Sequence, residues 1–319
     1  MHPAFSVIFL TTLIGAGQGL FVALYLVELG ARFGWVDPLP GGFQAAGSAL
    51  VVVLMVLGLI ASIFHLGRPE RGWRAASRWR TSWLSREIIV LPLFTAGAFF
   101  YGVAHWLLPG ADGAATRITL TLGAVTAMLS IALYICTGMI YACLKFLQEW
   151  ATPLTVVNYT LLGLASGFTL ATAYAAWAAP PLAGFFGPWA LALTAAALVT
   201  RSASLVRNAR LKPKSTLATA IGIKDRRIVQ KSMGMMGGAF NTREFLHGRS
   251  RAALRNVKWA FLLLTFPVPA ALLAAGLVQN SAPLAAAAFA LQYVGLLAER
   301  WFFFAQANHP QNLYYQSVA

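Results

Sequence analysis

Charge is scarce in this chain, and negative charge scarcest of all: 10% of its residues are charged and only nine are acidic. A soluble domain normally carries about 25% charged residues. The deficit excludes a water-facing surface over most of the chain. Cysteine is nearly missing too. Cys136 and Cys143 are the only two, seven residues apart in one apolar run. That spacing is about 10 Å along a helix, too far for a disulfide. Two thiols cannot by themselves hold an iron–sulfur cluster. They read as small apolar residues in a helix seam.

Histidine is rare as well, and its placement argues against haem. The five are His2, His65, His105, His247 and His309. A b-type haem in a helix bundle needs two histidines at matching depth. His65 falls at one end of an apolar run and His105 at the opposite end of the next, while the others lie in loops or tails. No haem and no metal are expected in this chain.

What is present in excess is apolar. Hydrophobic residues make up 59% of the chain, and the mean hydropathy is +0.68. They fall in runs of about twenty or more, the length that a hydrocarbon core about 30 Å thick demands of a helix. Breakers such as Pro38, Pro40, Pro69, Pro109-Gly110, Pro153 and Pro180-Pro181 divide the runs. The fold class is therefore all-α: a single polytopic membrane domain of eight transmembrane helices. The expected spans are residues 5–29, 43–65, 86–108, 117–146, 155–177, 185–205, 257–278 and 282–304. Pro267 and Pro269 fall inside the seventh and predict a kink there. Eight spans also allow two four-helix bundles. The first run is too long for the apolar core of a signal peptide and no basic stretch precedes it, so it reads as a retained helix.

The net charge of +15 would point to nucleic acid in a soluble chain. Here the basic residues sit between apolar runs. Arg68, Arg71, Arg74, Arg78, Arg80 and Arg86 cluster between the second and third spans. Thirteen more, from Arg207 to Lys258, surround the loop 206–256 between the sixth and seventh. Both connections follow an even-numbered span and share one side. The positive-inside rule places that side, and both termini, in the cytoplasm of a bacterial inner membrane. The glycine-rich stretch from Ser232 to Phe245 lacks the Gly-Lys-Ser/Thr ending of a P-loop. It reads instead as a docking surface for acidic lipid or a cytoplasmic partner. Arg71, Trp73, Arg74, Arg78, Trp79, Arg80 and Trp83 interleave cations with indoles, as an interfacial segment does. Such a segment is placed to roof a pocket at the membrane surface.

Ionisable or polar side chains at membrane depth are costly, so each is a functional candidate. His65 ends the second span, and Glu87 opens the third behind a possible cap, Ser85. One loop joins them at the same membrane surface. Quinone chemistry moves two electrons and two protons. It needs a hydrogen-bonding group at each carbonyl and a proton path to water. Histidine titrates near neutrality and suits that task. The plainer alternative is an interfacial histidine and a glutamate favoured by a helix dipole. Gln18, in Gly15-Ala16-Gly17-Gln18-Gly19-Leu20, is an interhelical hydrogen bond or a pocket-lining group. Tyr141, near the inner end of the fourth span, is an aromatic-belt residue or a further lining group. Arg201 and Arg300 lie near inner helix ends, within snorkelling reach of water. Glu28 lies near the outer end of the first span.

Phe64-His65-Leu66-Gly67-Arg68-Pro69, followed by Ser82-Trp83-Leu84-Ser85-Arg86-Glu87, resembles the membrane-anchor subunits of dimethyl sulfoxide reductase. The family pattern is His-Leu-Gly-x-Pro, then Ser-x-Leu-Ser-x-Glu. The run from Trp150 to Tyr159 looks like that family's entry to helix 5. Gly237 to Phe245 and Ala298 to Ala307 resemble one branch, the anchors of cytoplasmic sulfite-oxidising molybdoenzymes. The resemblance implies an eight-helix anchor without haem that holds an iron–sulfur subunit and a molybdopterin catalytic subunit. The [4Fe-4S] clusters and molybdopterin would belong to those partners. The positions of His65 and Glu87 are those the family links to quinol. The expectation is a quinone-reactive anchor, reacting with ubiquinone or menaquinone, in a sulfite dehydrogenase complex embedded in membrane lipids. The chain alone is not expected to be active. Alternatives are an anchor of a sulfoxide or polysulfide reductase drawing on quinol, and a secondary transporter, for which the kinked seventh span is the hint.

Overall fold

The structure is a computed structural model. It describes residues 5–64, 66–108, 114–212, 214, 216, 218–219, 222 and 251–307. His65 lies outside the described residues, as do His2, His247, His309, Pro109-Gly110 and the glycine-rich stretch from Ser232 to Phe245.

The elements are α1 (Phe5–Arg32), α2 (Phe43–Ile63), a 3-10 segment (Pro69–Arg78), α3 (Trp83–Leu107) and α4 (Ala114–Ala142). Then follow α5 (Pro153–Ala178), α6 (Pro180–Ala209), α7 (Arg251–Thr265), α8 (Pro267–Val278) and α9 (Ala282–Ala305). No strand occurs among the described residues. Eight helices are long and apolar enough to cross a membrane, with α7 and α8 together forming the seventh. The chain is a multi-pass membrane protein. The arginine-rich α2–α3 connection, the last turn of α6 and the first turn of α7 share one end of the bundle, called here the basic end.

Local chemistry explains where the boundaries moved. The cap of α3 is Ser82, not Ser85. Ser82 is extended, and its side chain accepts a hydrogen bond from the Ser85 amide at 3.3 Å. The helix therefore starts at Trp83, and Glu87 stands more than one turn inside it rather than at its opening. Helix α6 starts at Pro180, five residues before the expected start at 185. The proline pair was read as a separator, but proline is tolerated in a first turn, where its missing N–H has no partner to lose. The kink expected at Pro267 is a full break at Phe266 between α7 and α8. Cys143 falls just past the end of α4 and is exposed, whereas Cys136 is buried.

Helices α1 and α5 are central. About two thirds of the apolar window of each is buried, 67% and 61%, against 28–33% for the other spans. Every residue from Ile14 to Phe21 is buried, so that stretch of α1 has no face left for lipid. Glycines make the approach possible. A Cβ on Gly19 would collide with the Gly163 backbone of α5, and one on Gly167 would collide with Gly19. Lipid offers no hydrophobic drive between helices, so close van der Waals contact through small residues does that work. At the rim, Trp35, Trp106 and Trp177 are exposed at one end and Trp73, Trp79 and Trp259 at the other. Indoles in two bands match two membrane–water interfaces.

Candidate functional site

The deepest polar residue of α1 meets the first acidic residue of α3. Gln18 and Glu87 line one cleft, with Ile14 and Gly15 of α1, Tyr134 and Thr137 of α4, and Tyr159 of α5 among the other walls. The cleft is narrow, with internal room for about one water, and is partly open to its surroundings. It lies on the basic-end side of the bundle. Glu87 comes from the first turns of α3, Thr137 from the last turns of α4, and Tyr159 from the second turn of α5.

Glu87 is partly buried, and the Thr137 hydroxyl donates to its Oε1. Gln18 is 2% exposed. Its Nε2 donates to the Ile14 carbonyl at 3.3 Å, while its Oε1 has no hydrogen-bond partner among the described residues. A buried amide oxygen left unpaired costs about 1–3 kcal/mol, and here it borders a cleft. Tyr134 is spoken for, because its hydroxyl donates to the Gly15 carbonyl at 2.8 Å and ties α4 to α1. Together these residues offer a carboxyl group, an amide and an aromatic wall.

Tyr141 stands one layer away. It is not part of the cleft wall but stacks on Tyr159, with ring centroids 5.5 Å apart. Trp150, Phe303 and Phe304 pack edge-on around it. Of the residues picked out from the sequence, the structure thus brings Gln18 and Glu87 to one cleft and sets Tyr141 behind Tyr159. The geometry of His65 lies outside the described residues. Above the start of α3, Trp73 of the 3-10 segment Pro69–Arg78 and Trp79 just after it are exposed. Arg86 lies over the Trp83 ring and donates to the carbonyls of Trp79 and Arg80, which pins the segment to α3.

Sequence reasoning missed Tyr134, Thr137 and Tyr159. Single tyrosines and threonines in apolar runs give no signal of their direction. Tyr159 did close a run marked as family-like, Trp150 to Tyr159, but no role attached to it. Sequence reasoning also missed two buried clusters. At the end opposite the basic one, Glu28 accepts from Tyr101 at 2.6 Å and Thr119 at 2.7 Å, with His105 Nε2 at 3.3 Å. The second cluster corrects an expectation. Arg201 and Arg300 do not snorkel: they are 2% and 4% exposed and flank Glu299, which is 1% exposed. Arg201 Nε is 2.7 Å from Glu299 Oε1, and Arg300 Nε is 3.7 Å from Oε2. The Arg300 guanidinium also covers the Tyr159 ring at 3.7 Å. An internal carboxylate between them, one residue before Arg300, is the signal that pointed inward. Among the described residues no group of three or more His, Cys, Asp or Glu side chains is placed to hold a metal.

Comparison with known proteins spans the full sequence. The family model described as DMSO reductase anchor subunit (DmsC) matches residues 1–305. The C subunit of the sulfite dehydrogenase of Allochromatium vinosum is 54% identical over 325 residues, covering 100% of both proteins. An anaerobic dimethyl sulfoxide reductase chain of Haemophilus influenzae is 30% identical over 132 residues, 39% of this protein and 43% of its own length. The anaerobic dimethyl sulfoxide reductase chain YnfH of Escherichia coli is 30% identical over 131 residues, 40% of this protein and 43% of its own length. A match over nearly its full length, on a fold of eight apolar spans, means that this chain belongs to the DMSO reductase anchor subunit (DmsC) family.

Proposed function

We propose that this chain is the quinone-reactive anchor of a molybdenum and iron–sulfur oxidoreductase of the bacterial inner membrane, a sulfite dehydrogenase that passes electrons to the quinone pool. The observation that carries the reading is the convergence of Glu87 and the unpaired Gln18 amide on one cleft. The full-length relative named as a sulfite dehydrogenase subunit supports the choice of substrate. The electrons would come from sulfite at a molybdopterin subunit, through the [4Fe-4S] clusters of a second subunit. The basic connections favour docking of both on the cytoplasmic face, with both termini of this chain on that side.

The residues fit such a ligand. A bound quinone supplies an acceptor of two electrons and two protons. Glu87 holds a proton at its carboxyl group, with Oε1 fixed by Thr137. Gln18 offers an amide oxygen that accepts from a hydroxyl, and by rotation an amide nitrogen that donates to a carbonyl. Tyr134, tied to Gly15, keeps the wall in place. Tyr159 forms another wall of the cleft, with Tyr141 behind it as the residue that sets the angle of its ring. His65, one loop away from Glu87 in sequence, is the second proton-carrying group.

The test is to replace His65 or Glu87 and measure sulfite-dependent quinone reduction in assembled complexes. Normal turnover in both variants would remove the assignment. The partial similarity to two dimethyl sulfoxide reductase chains keeps one other reading in view, an anchor drawing electrons from quinol for a sulfoxide or polysulfide. Quinol-dependent sulfoxide reduction without sulfite oxidation would establish that direction. Labelling of the stretch from Arg207 to Lys258 from outside intact cells would invert the orientation.

A further inference from the structure

Two narrow pockets meet at one side chain. Tyr159 lines the cleft that holds Glu87 and Gln18, and it also lines a second pocket between α5, α6 and α9 at the basic end. Asn158, Arg201, Glu299, Arg300 and Glu149 are among the other walls of that second pocket. Each pocket has internal room for about one water. A buried water needs about two to four polar partners, and both pockets supply them. Glu299 Oε2, Asn158 Oδ1 and Arg201 Nη2 are buried without a hydrogen-bond partner among the described residues on one side, and Gln18 Oε1 stands beside Glu87 on the other.

The charges of the second pocket cancel. Glu299 and Glu149 face Arg201 and Arg300, two carboxylates against two guanidinium groups. Arg201 Nε lies 2.7 Å from Glu299 Oε1. A lining without surplus positive charge does not repel an excess proton. Glu149 is its outermost acid. It comes from the α4–α5 connection and is partly exposed, whereas Glu299 is buried. Tyr159 is the junction. It is 4% exposed, and its hydroxyl makes no well-directed hydrogen bond among the described residues, although Tyr141 and Arg300 stand close to it. A phenolic hydroxyl is donor and acceptor at once. It can give up its proton on one side while taking another from the opposite side.

The geometry points to Tyr159 as a proton relay that joins the basic-end surface to Glu87 through one water in each pocket. A water in the second pocket passes a proton to the Tyr159 hydroxyl. The hydroxyl passes its own proton to a water in the cleft, and that water passes one to the Glu87 carboxylate. Glu149 reprotonates the first water and is itself reprotonated by solvent. One proton enters at the surface, one arrives at Glu87, no charge stays on the ring and no electron moves. Glu299 keeps its charge and holds the water through Oε2. Chains of polar groups at membrane depth commonly serve such transfers. Refilling Glu87 during quinone reduction rests on the function proposed above, but the path itself does not.

The experiment uses the assembled complex in mild detergent without added quinone. Infrared difference spectroscopy after transfer to heavy water follows the carboxyl band that Glu87→Gln removes, at a pH where that band is present. Tyr159→Phe should slow exchange of this proton by about tenfold or more, as loss of a positioned proton-transfer group does, and leave the band at its wild-type frequency. Glu149→Gln should slow exchange by a smaller factor, since solvent still reaches the mouth of the pocket. Exchange at the wild-type rate in Tyr159→Phe overturns the inference and makes the opening of the cleft the route. Slower exchange with a displaced band also overturns it, because the substitution then acts through the shape of the cleft. If Tyr159→Phe does not assemble, Glu149→Gln decides, and a wild-type rate there overturns the path. A second arm adds sulfite and quinone. Tyr159→Phe should lower the maximal rate and enlarge its solvent isotope effect, with the KM for quinone near wild type. A wild-type complex that reduces no quinone, yet loses exchange in Tyr159→Phe, would sink the proposed function and keep the relay.

Discussion

Glu28 and Glu87 are both carboxylates inside the bundle, yet they are held in opposite ways. Glu28 lies at the end away from the basic loops and is closed in by Tyr101, Thr119 and His105, with both of its oxygens engaged. Glu87 lies toward the basic end, takes a hydrogen bond from Thr137 and borders a cleft. A buried carboxylate with both oxygens accepting hydrogen bonds ties its helices together, and one that borders open space is available to a ligand. The contrast separates a carboxylate that holds helices together from one that borders a cleft, the setting the proposed proton-carrying role of Glu87 needs.

The largest effect expected of any substitution follows from that difference. Glu87→Gln keeps the shape of the side chain and an oxygen for Thr137, but removes the proton carrier. Quinone-linked turnover of the assembled complex should fall by about 100-fold or more, the usual scale of a lost general acid or base. Its unfolding temperature should hardly move. A loss of stability as large as the loss of turnover would make Glu87 another Glu28.

Glu28→Ala should show the reverse. It strips the partners from Tyr101 and Thr119, both buried. Breaking a buried charged network commonly costs about 3–5 kcal/mol. Denaturant titration should show α1, α3 and α4 loosening together. Turnover per folded complex should stay near wild type. A selective loss of activity would instead extend the working site to the opposite end of the bundle.

Gln18→Leu comes next. It removes the amide but keeps a side chain of similar reach inside the enclosed stretch of α1. The apparent KM for quinone should rise about tenfold, the worth of one hydrogen bond at the upper end of its usual range. The maximal rate should change less. An unchanged KM would leave Gln18 with its bond to the Ile14 carbonyl, which lies within α1 and is not the interhelical bond its small neighbours suggested.

The fold was legible because the membrane imposes a length on every apolar run, and that length is visible without knowing any contact. Its errors fell where backbone chemistry, not hydropathy, sets the boundary: Ser82 rather than Ser85 as a cap, and Pro180 as a start rather than a stop. Glu87 and Gln18 were legible as candidates because polarity is rare at their depth. Their meeting was not, since it depends on which faces of α1 and α3 turn inward. Glu28 and His105 were both noticed, but nothing in a linear sequence places the ends of α1 and α3 together. The arginine pair was misjudged for a related reason. A long cationic side chain near a helix end can reach water, and only the packed neighbour Glu299 decides that it turns inward.

Tyr141 marks the small end of the scale. Its ring is fixed by stacking on Tyr159 and by edge contacts with Trp150, Phe303 and Phe304. What it contributes to the cleft therefore passes through the position of Tyr159. Tyr141→Phe keeps the ring and should leave turnover within about twofold and stability within about 0.5 kcal/mol, as substitutions that spare the packed surface usually do. Tyr141→Ala removes the ring and should raise the quinone KM by disordering Tyr159. If Tyr141→Phe alone lowered turnover as much as Gln18→Leu, the hydroxyl would belong to the site, and the cleft would have to open one layer further toward the basic end.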